Sequence, residues 1–464
     1  MMSFCSRNEE MCIKTRNYVS KKRNCALKMM ISADTAKWIE CGRDAHGLNI
    51  SVIGLWNEEP GPVPYILALR KRLDAGGLQH VTIIAPDGGG SGMDEVAKEM
   101  AANASVKAAV GALGSHYPGS KGTSPAVRNA GVPAWSAEDY STYSDATGAG
   151  CWGRLLVQNM GWELSATISW YLIGSFARGM DYDSDGLLRA EWPTSGHYEL
   201  TPMMWTTMHW TRFIKPGWKA LPCDDASVPT GRCALAGGGN YAAMASPDSH
   251  DIAIVVHAFR HNTSKCIRCD PPDWNVAETQ TVSFQLQIDP LPEKVHVWRS
   301  CSGWEYPAAG DGWFEQQPDA TVASSGALQV EIHADCMYTF STIAGVTKPA
   351  VPAAVPHSAS FPLPYAEDFD GMQVGAEAPF FGDQMGKFET MPAGGGRSGN
   401  VSRQQLPLGG WPICNRGHSQ PISIIGDMFF EDLEVSGAFG HHCCFILFLS
   451  NIMLLHSSSL QPTS

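Results

Sequence analysis

The sequence predicts an α/β domain of the TIM-barrel type followed by an antiparallel β-sandwich. In the first half of the chain, short apolar runs alternate with segments of helical spacing, the pattern of parallel βα repeats. After about Trp218 the apolar residues recur with period two between turn residues. Of the 464 residues, 44% are hydrophobic and 17% are charged, which is typical of an ordered globular protein.

Five strands are predicted in the α/β part of the chain, over residues 50–56, 80–85, 108–112, 132–136 and 166–172. Helical spacing is found between them, from Thr35 and over 64–73, 94–106 and about 153–164. The second strand is a continuous apolar run, so we expect it to be buried on both faces of a parallel sheet.

The sandwich is predicted from four period-two runs, at 252–257, 281–286, 294–298 and 328–332. A proline-rich stretch follows and has the composition of a stiff linker. The predicted organisation is an unassigned segment (1–32), the barrel domain (33–215), the sandwich (216–347), the linker (348–364), a third β-rich module (365–435) and an unassigned tail (436–464).

Composition and motifs exclude several classes of partner. The formal net charge of −13 argues against a nucleic acid. The 14 cysteines form no recurring pair at zinc spacing, and the EF-hand-like run from Asp181 has Trp192 at its twelfth position, so no metal site and no cofactor are expected. No apolar run is long enough for a transmembrane segment, and no signal peptide is visible.

Two carboxylic acids follow predicted strands. The first strand delivers Asn57 and Glu58 just before a Pro-Gly-Pro loop, and the fourth delivers Glu138. Catalytic groups of TIM barrels project from the carboxyl ends of the strands, and hydrolysis of a glycosidic bond with retention needs two carboxyl groups about 5–5.5 Å apart. Glu58 and Glu138 are therefore candidates for such a pair; the alternative is that both are exposed loop residues without a catalytic role.

A series of stretches, in order over about residues 33–435, resembles glycoside hydrolase family 59. They are Ile53–Glu58, Tyr65–Lys71, Gly77–Gln79, Ser115–Gly119, Trp135–Ser141, Gly148–Arg154, Ser195–Tyr198, Pro216–Trp218, Ser264–Arg268 and Ile422–Asp427. The resemblance implies a retaining β-galactosidase that acts on galactosylceramide, a galactolipid that a lipid-transfer activator protein presents to the enzyme. It also implies a lysosomal or secretory location and a barrel, a sandwich and a lectin-like domain.

The resemblance also implies roles for individual residues. Glu58 becomes the acid/base and Glu138 the nucleophile, while four positions become sugar contacts: Asn57, Ser141, Trp192 and Arg268. Around Trp192 the local order is Glu-Trp-Pro-Thr-Ser-Gly-His-Tyr, where the family has Glu-Pro-Trp-Ser-Gly-His-Tyr. Cys151 and Cys266 match the family's disulfide between barrel and sandwich.

The sequence departs from the family at both ends. About three N-terminal βα units of the (β/α)₈ barrel have no counterpart here, so the strand before Glu58 would correspond to the fourth barrel strand. The lectin-like domain matches only over its first strands. Two alternatives stay open: another retaining β-glycosidase of the same barrel clan, or a catalytically inactive carbohydrate-binding fragment.

Overall fold

The computed structural model describes residues 23–55, 57–58, 61–89, 92–118, 122–139, 143–170, 172–174, 186–190, 195–221, 233–266, 274–302, 312–350, 355–385, 387–405 and 422–426, together with 430, 434, 436–437, 445–449 and 452–456. Within these residues, none of the helices combines the length and the apolar character needed to cross a membrane.

A five-stranded parallel sheet with strand order β1-β2-β3-β4-β5 forms the first half of the chain. Helices and strands alternate along the sequence, which confirms the predicted βα repeats. In chain order the elements are α1 (Arg23–His46), β1 (Val52–Gly54), α2 (Val63–Ala75), β2 (Thr82–Ala85), α3 (Gly92–Ala102), α4 (Ala104–Ala109), β3 (Ala112–His116), α5 (Pro125–Arg128), β4 (Ala134–Asp139), α6 (Ala146–Gly161) and β5 (Leu164–Ser169).

Apolar helix faces cover this sheet. Ile66 of α2 and Val96 of α3 pack in one cluster with Leu113 of β3, and all three side chains are buried. Leu69 and Leu73 of α2 pack with Ile83 of β2 in a second cluster. Burying each such side chain contributes roughly 2 kcal/mol, so the helices and the sheet stabilise one another.

The predicted third strand, 108–112, was wrong by about four residues. Ala108 and Ala109 end helix α4, and the strand begins only at Ala112. Asn103 starts α4 by accepting a hydrogen bond from the backbone N–H of Ser105, so the single helix predicted over 94–106 is divided in two. The alanines then continue that helix, because alanine has the highest helix propensity.

Two helix starts also lie earlier than predicted. Helix α6 begins at Ala146, where Asp145 caps it by accepting a hydrogen bond from the N–H of Gly148, and not near residue 153. Its early glycines weaken the local helix signal. Helix α1 begins at Arg23, within the segment 1–32 that the sequence left unassigned.

A small sheet and one helix connect the parallel sheet to the sandwich. Strand β6 pairs with β7 in parallel and β7 pairs with β8 in antiparallel orientation. The elements are β6 (Ile173–Gly174), β7 (Leu188–Arg189), β8 (Glu199–Leu200) and α7 (Pro202–Thr211).

The predicted sandwich consists of a six-stranded antiparallel sheet and a two-stranded sheet. The larger sheet has the order β14-β13-β16-β11-β10-β9, and β12 pairs with β15. Phe284 and Leu328 of the smaller sheet pack with Val256 and Phe340 of the larger one. The strands are β9 (Lys219–Ala220), β10 (Asn240–Ala245), β11 (Ile252–His257), β12 (Thr279–Gln285), β13 (Lys294–Cys301), β14 (Glu315–Thr321), β15 (Ala327–His333) and β16 (Cys336–Ser341).

Helix α6 docks directly on the sandwich through a face of small residues. A side chain at Gly150 would place its Cβ 2.3 Å from the backbone oxygen of Thr263, so only glycine permits this approach. Cys151, next along the helix, forms a disulfide with Cys266, the pairing that the resemblance implies. A second disulfide, Cys301–Cys336, joins neighbouring strands and had not been predicted.

The described residues of the C-terminal part form three pairs of antiparallel strands. They are β17 (Phe381–Met385) with β20 (Ile422–Ile425), β18 (Phe388–Gly394) with β19 (Arg397–Gln404), and β21 (Phe445–Leu449) with β22 (Ile452–His456). The first two pairs agree with a β-rich module, whereas its lectin-like nature stays a prediction. The third pair lies in the tail that the sequence had left unassigned.

Candidate active site

The ends of three strands of the parallel sheet bring two carboxylates and an imidazole together. Glu58 follows β1, His116 ends β3 and Glu138 lies near the end of β4. One oxygen of each carboxylate and one ring nitrogen of His116 all lie within 4.8 Å of one another. The carboxyl ends of parallel strands meet at one edge of the sheet, and that is where these three side chains converge.

Glu58 is held in a tight turn directly after β1. Its φ angle is +57°, in the left-handed region that non-glycine residues rarely adopt. Its backbone N–H donates a 2.7 Å hydrogen bond to the carbonyl of Asp87, the residue that follows β2 by two positions. Such a conformation costs on the order of 1–3 kcal/mol and is typical of functional sites. The Glu58 side chain is 61% exposed and faces solvent beside Asn57, which is also exposed.

A bulge in strand β4 sets the position of Glu138. The pairing of β4 with β3 runs through Ser115↔Ser136 and continues with His116↔Glu138, so β4 contains one extra residue. A bulge bends its strand and redirects the side chains around it. The Glu138 carboxylate is only 16% exposed and accepts a 2.6 Å hydrogen bond from the hydroxyl of Tyr117.

Buried hydrogen bonds hold this bulge. The carboxylate of Asp139 is fully buried and accepts hydrogen bonds from Ser136 Oγ at 2.8 Å and Asn159 Nδ2 at 2.7 Å. Asn159 lies on α6 and also donates to Thr167 Oγ1 on β5. A buried carboxylate requires such donors, because an unpaired one would be strongly destabilising. Asp139 thus connects the end of β4 to α6 through Asn159, and Asn159 connects it in turn to β5.

His116 stands between the two carboxylates and is almost completely buried. Its Nε2 lies 3.0 Å from Oδ1 of Asp87, while its Nδ1 lies 3.6 Å from Oε1 of Glu138 and 3.9 Å from Oε1 of Glu58. An ionised Asp87 only accepts hydrogen bonds, so Nε2 carries the proton. Gly54 of β1 allows Asp87 to approach, since a Cβ there would lie 2.6 Å from the Asp87 carboxylate.

The surroundings of His116 have opposing effects on its pKa. Burial lowers the pKa, whereas the hydrogen bond to Asp87 and the charges of Glu138, Asp87 and Glu58 raise it. The net result is that the pKa of His116 is raised above its ordinary value.

The arrangement suits chemistry at a bond between two carboxyl groups. Their nearest oxygens lie within 4.8 Å, which agrees with the close spacing of retaining glycosidases and not with the wider spacing of inverting ones. The same three side chains could also hold a divalent metal ion, because carboxylates and imidazoles are common metal ligands.

Not every residue predicted for the site can be placed. Glu58, Asn57 and Glu138 lie in the site as described above, whereas Ser141, Trp192 and Arg268 lie outside the described residues. Sequence reasoning did not single out Asp87, His116, Tyr117 or Asp139. His116 and Tyr117 belong to the stretch Ser115–Gly119 that carries the family resemblance, so the resemblance could have identified them. Asp87 follows a strand as Glu58 does, so its position at a strand end could have identified it.

Comparison with known proteins gives two family matches and a group of relatives. The models "Glycosyl hydrolase family 59" and "Glycosyl hydrolase family 59 central domain" match residues 17–212 and 229–347. Galactocerebrosidase from Danio rerio is 33% identical over 405 residues, which cover 86% of this chain and 58% of that protein. Galactocerebrosidase from Homo sapiens is 34% identical over 407 residues, which cover 86% of this chain and 56% of that protein.

The chain thus spans less than three-fifths of the length of these relatives. Among solved structures, the glycoside hydrolase family 30 subfamily 8 xylanase Xyn30A from Clostridium acetobutylicum superposes with a TM-score of 0.47 at 17% identity, over 69% of this chain and 72% of that one. A structural likeness of this strength says nothing about the substrate.

Proposed function

The chain belongs to glycosyl hydrolase family 59, and from this premise we propose that it removes β-linked galactose from galactosylceramide and related galactolipids with retention of configuration. Relatives named galactocerebrosidase share about a third of its residues. The observation that carries the proposal is the convergence of Glu58 and Glu138 at one edge of the parallel sheet, with their nearest oxygens within 4.8 Å.

In the first step, Glu138 is the nucleophile and Glu58 the general acid. A carboxylate oxygen of Glu138 attacks the anomeric carbon, and the bond from that carbon to the ceramide oxygen breaks while Glu58 protonates the leaving oxygen. The products are a galactosyl ester of Glu138 and free ceramide. The 16% exposure of Glu138 against 61% for Glu58 suits these roles, since the proton donor must also exchange with water.

In the second step, Glu58 acts as the base. It takes a proton from a water molecule, whose oxygen attacks the anomeric carbon and displaces the carboxylate of Glu138. Galactose leaves with its original configuration, and Glu58 is protonated again for the next cycle. Two inversions at one carbon give net retention.

Tyr117 and His116 support this chemistry. The hydroxyl of Tyr117 donates to one oxygen of Glu138, which stabilises the carboxylate and leaves the other oxygen for attack. The buried imidazole of His116, held by Asp87, lies within 4 Å of both carboxylates and helps to fix their spacing.

Four residues are proposed as contacts to the sugar. The exposed amide of Asn57, beside the acid, is suited to hydrogen bonds with a sugar hydroxyl. Ser141, Trp192 and Arg268 are assigned by family resemblance alone. We also propose that residues 365–435 belong to a lectin-like module and that a lipid-transfer activator protein presents the substrate.

The compartment proposed is lysosomal or secretory. Disulfides persist in oxidising compartments, and the structure contains Cys151–Cys266 and Cys301–Cys336. Cys151–Cys266 lies where helix α6 packs on the sandwich, and Cys301–Cys336 lies within the sandwich.

The test compares three variants on two substrates, galactosylceramide and a β-galactoside with an activated aryl leaving group. Glu138→Gln should lose at least about 10³-fold in kcat on both substrates, because no nucleophile remains. Glu58→Gln should lose about 10²–10⁴-fold on galactosylceramide and less in the galactosylation step of the aryl substrate, whose leaving group needs no proton. Glu99→Gln, at an exposed glutamate of α3, is the control and should retain wild-type activity.

Three further measurements decide between this proposal and the alternatives: the anomer released first, the preferred glycolipid, and sugar binding without turnover. The first anomer released, observed by proton NMR, should be the β-form, and release of the α-form would overturn the retaining mechanism. Preference for glucosylceramide would favour another β-glycosidase, while sugar binding without any turnover would favour a carbohydrate-binding role.

A further inference from the structure

The three side chains at the site form a nearly complete set of metal ligands. Nδ1 of His116 lies 3.6 Å from Oε1 of Glu138 and 3.9 Å from Oε1 of Glu58. This nitrogen is buried, and among the described residues it has no hydrogen-bond partner. A buried polar atom without a hydrogen-bond partner is uncommon in proteins, so this nitrogen offers a binding position to a water molecule or an ion.

The tautomer of His116 leaves this nitrogen ready to bind an ion. Because Nε2–H donates to Asp87, the lone pair of the neutral ring is on Nδ1, which lies near both carboxylates. Histidines that bind metals commonly donate their other ring N–H to a carboxylate, which fixes the ring and makes it a stronger ligand. Asp87 occupies the position of that outer carboxylate.

We propose that a divalent transition-metal ion, with Zn²⁺ as the reference case, binds to Glu58, His116 and Glu138 and inhibits the enzyme. Tetrahedral zinc with bonds of about 2.0–2.2 Å places its ligand atoms roughly 3.3–3.6 Å apart. The distance from His116 to Glu138 already fits, and the exposed Glu58 side chain needs to move by up to about 1.5 Å, because its oxygen lies 3.9 Å from Nδ1 of His116 and within 4.8 Å of the Glu138 oxygen. A water molecule would complete the coordination.

The ligand set favours a transition metal over calcium or magnesium. Ca²⁺ and Mg²⁺ prefer shells made of oxygen atoms, whereas one imidazole with two carboxylates suits zinc and its neighbours in the first transition row. Two carboxylates also balance the charge of a divalent ion. The site therefore discriminates by ligand chemistry, and Mg²⁺ serves as the negative control.

The ion inhibits the enzyme because it binds the two carboxylates that carry out the reaction. The inhibition, unlike the metal binding, rests on the proposed function. An ion bound to Glu138 withdraws electron density from the carboxylate and so weakens its attack on the anomeric carbon, and an ion bound to Glu58 prevents that residue from carrying a proton. It also fills the space of the scissile bond. The ion is therefore an inhibitor that competes with substrate and not a cofactor of the reaction.

Binding is tested without reference to catalysis. Zn²⁺ is titrated calorimetrically at about pH 7, and Co²⁺ is added separately to record its visible absorption bands, which report the coordination geometry. We expect Glu138→Gln and His116→Gln to weaken Zn²⁺ binding at least about tenfold, and Asp87→Asn to weaken it about 10–100-fold through loss of the outer carboxylate. His80→Gln, at an exposed histidine, should not change it.

Folding of each variant is checked by thermal unfolding without metal, and the substitution Glu58→Gln provides a third ligand variant in case one of the others fails to fold. Equal Zn²⁺ affinity and an identical Co²⁺ spectrum in the wild type and every folded ligand variant would overturn the metal site. So would Mg²⁺ binding that equals Zn²⁺ binding.

Activity measurements separate the two proposals. With galactosylceramide as substrate, Zn²⁺ should raise the apparent KM, and a chelator should restore it. Ligand-dependent Zn²⁺ binding in a protein that hydrolyses no galactolipid would support the metal site and contradict the proposed function. Hydrolysis that Zn²⁺ leaves unchanged or stimulates would contradict the inhibition and leave the proposed function standing.

Discussion

The hydroxyl of Tyr117 donates a hydrogen bond of 2.6 Å to Oε1 of Glu138. Their backbones are also joined, since the N–H of Tyr117 donates to the carbonyl of Glu138 at 2.9 Å. Tyr117 itself has a left-handed backbone, with a φ of +53°, directly after strand β3. The proposed nucleophile is therefore held by a neighbouring strand through both side chain and main chain, and its reactivity depends on that strand.

Replacing Tyr117 with phenylalanine should lower kcat about 10–100-fold. A hydrogen bond to a charged group is worth about 1.5–3 kcal/mol, and each 1.4 kcal/mol corresponds to about tenfold in rate. Steady-state kinetics on an aryl β-galactoside measures the effect, with KM expected to change less than kcat. Tyr365→Phe removes a phenol that bonds to the Pro379 carbonyl far along the chain and is the matched control. Wild-type kcat in Tyr117→Phe would contradict the role.

Replacing Asp139 with asparagine should reduce kcat through the bulge in β4. The amide keeps one acceptor oxygen for Ser136 and Asn159, but both hydrogen bonds lose the negative charge that strengthens them, and an NH₂ donor replaces the other carboxylate oxygen. We expect the free energy of unfolding to fall by about 1–3 kcal/mol. Urea unfolding and kinetics below the unfolding transition separate lost stability from a misplaced Glu138.

The exchange of the two residues provides the control for Asp139. In the double variant Asp139→Asn with Asn159→Asp, the donor and acceptor are reversed and can pair again. Recovery of kcat to within about tenfold of the wild type would support a positioning role. A double variant as inactive as the single one, though equally folded, would show that the Asp139 charge is needed for another reason.

Removing the disulfide between α6 and the sandwich should lower the free energy of unfolding by about 2–5 kcal/mol. The two cysteines are 115 residues apart, so the bond restricts a long segment of the unfolded chain. Cys301 and Cys336 are 35 residues apart, and their loss should cost roughly 1 kcal/mol less by the same entropy argument. Denaturant unfolding of the paired serine variants measures both values, with Cys41→Ser, at a cysteine outside these two disulfides, as control. An equal effect of both pairs would contradict the entropic explanation.

How far the sequence predicts the site depends on where each residue lies relative to a strand. Glu58 and Glu138 follow strands that the apolar pattern marks clearly, so the strand-end rule places both at one edge of the sheet. The strand-end rule did not identify His116, because β3 was predicted at 108–112 and the histidine then fell in the loop after it. The error arose from Asn103, whose capping of α4 depends on one side-chain hydrogen bond and not on periodicity.

Other features could not be derived from local pattern at all. The bulge at Glu138 is fixed by Asp139, Asn159 and Thr167, which come from three different elements. In the sandwich, β14 contains Pro318 and mostly polar residues, and β16 is buried throughout, so neither shows period-two alternation. Tertiary contacts decide these elements, and strand propensity is known to depend on such context.

Two buried histidines, His209 and His257, should make the fold sensitive to acid. His209 donates from Nδ1 to Thr339 Oγ1 and accepts from Ser300 Oγ at Nε2, both at 2.8 Å. Thr339 donates onward to the carbonyl of His209, and Ser300 accepts from the N–H of Phe314, so the network is complete with a neutral ring. Burial lowers the pKa of His209 to about 3. Burial, and then the charge of Arg154, lower the pKa of His257 to about 3 as well.

The sign of the effect follows from these values. An unfolded histidine takes up a proton below a pKa of about 6.5, whereas the folded one resists until about pH 3. Stability from these two rings is thus complete above about pH 6.5 and decreases as the pH falls toward 3, by roughly 1 kcal/mol per pH unit for each histidine. Urea unfolding at about pH 8, 6 and 5 measures this slope. The variant His257→Gln, whose amide can still donate to the carbonyl of Gly150, should be less stable at pH 8 but lose less stability on acidification. If the free energy of unfolding of His257→Gln falls with decreasing pH as steeply as that of the wild type, His257 is not neutral in the folded protein.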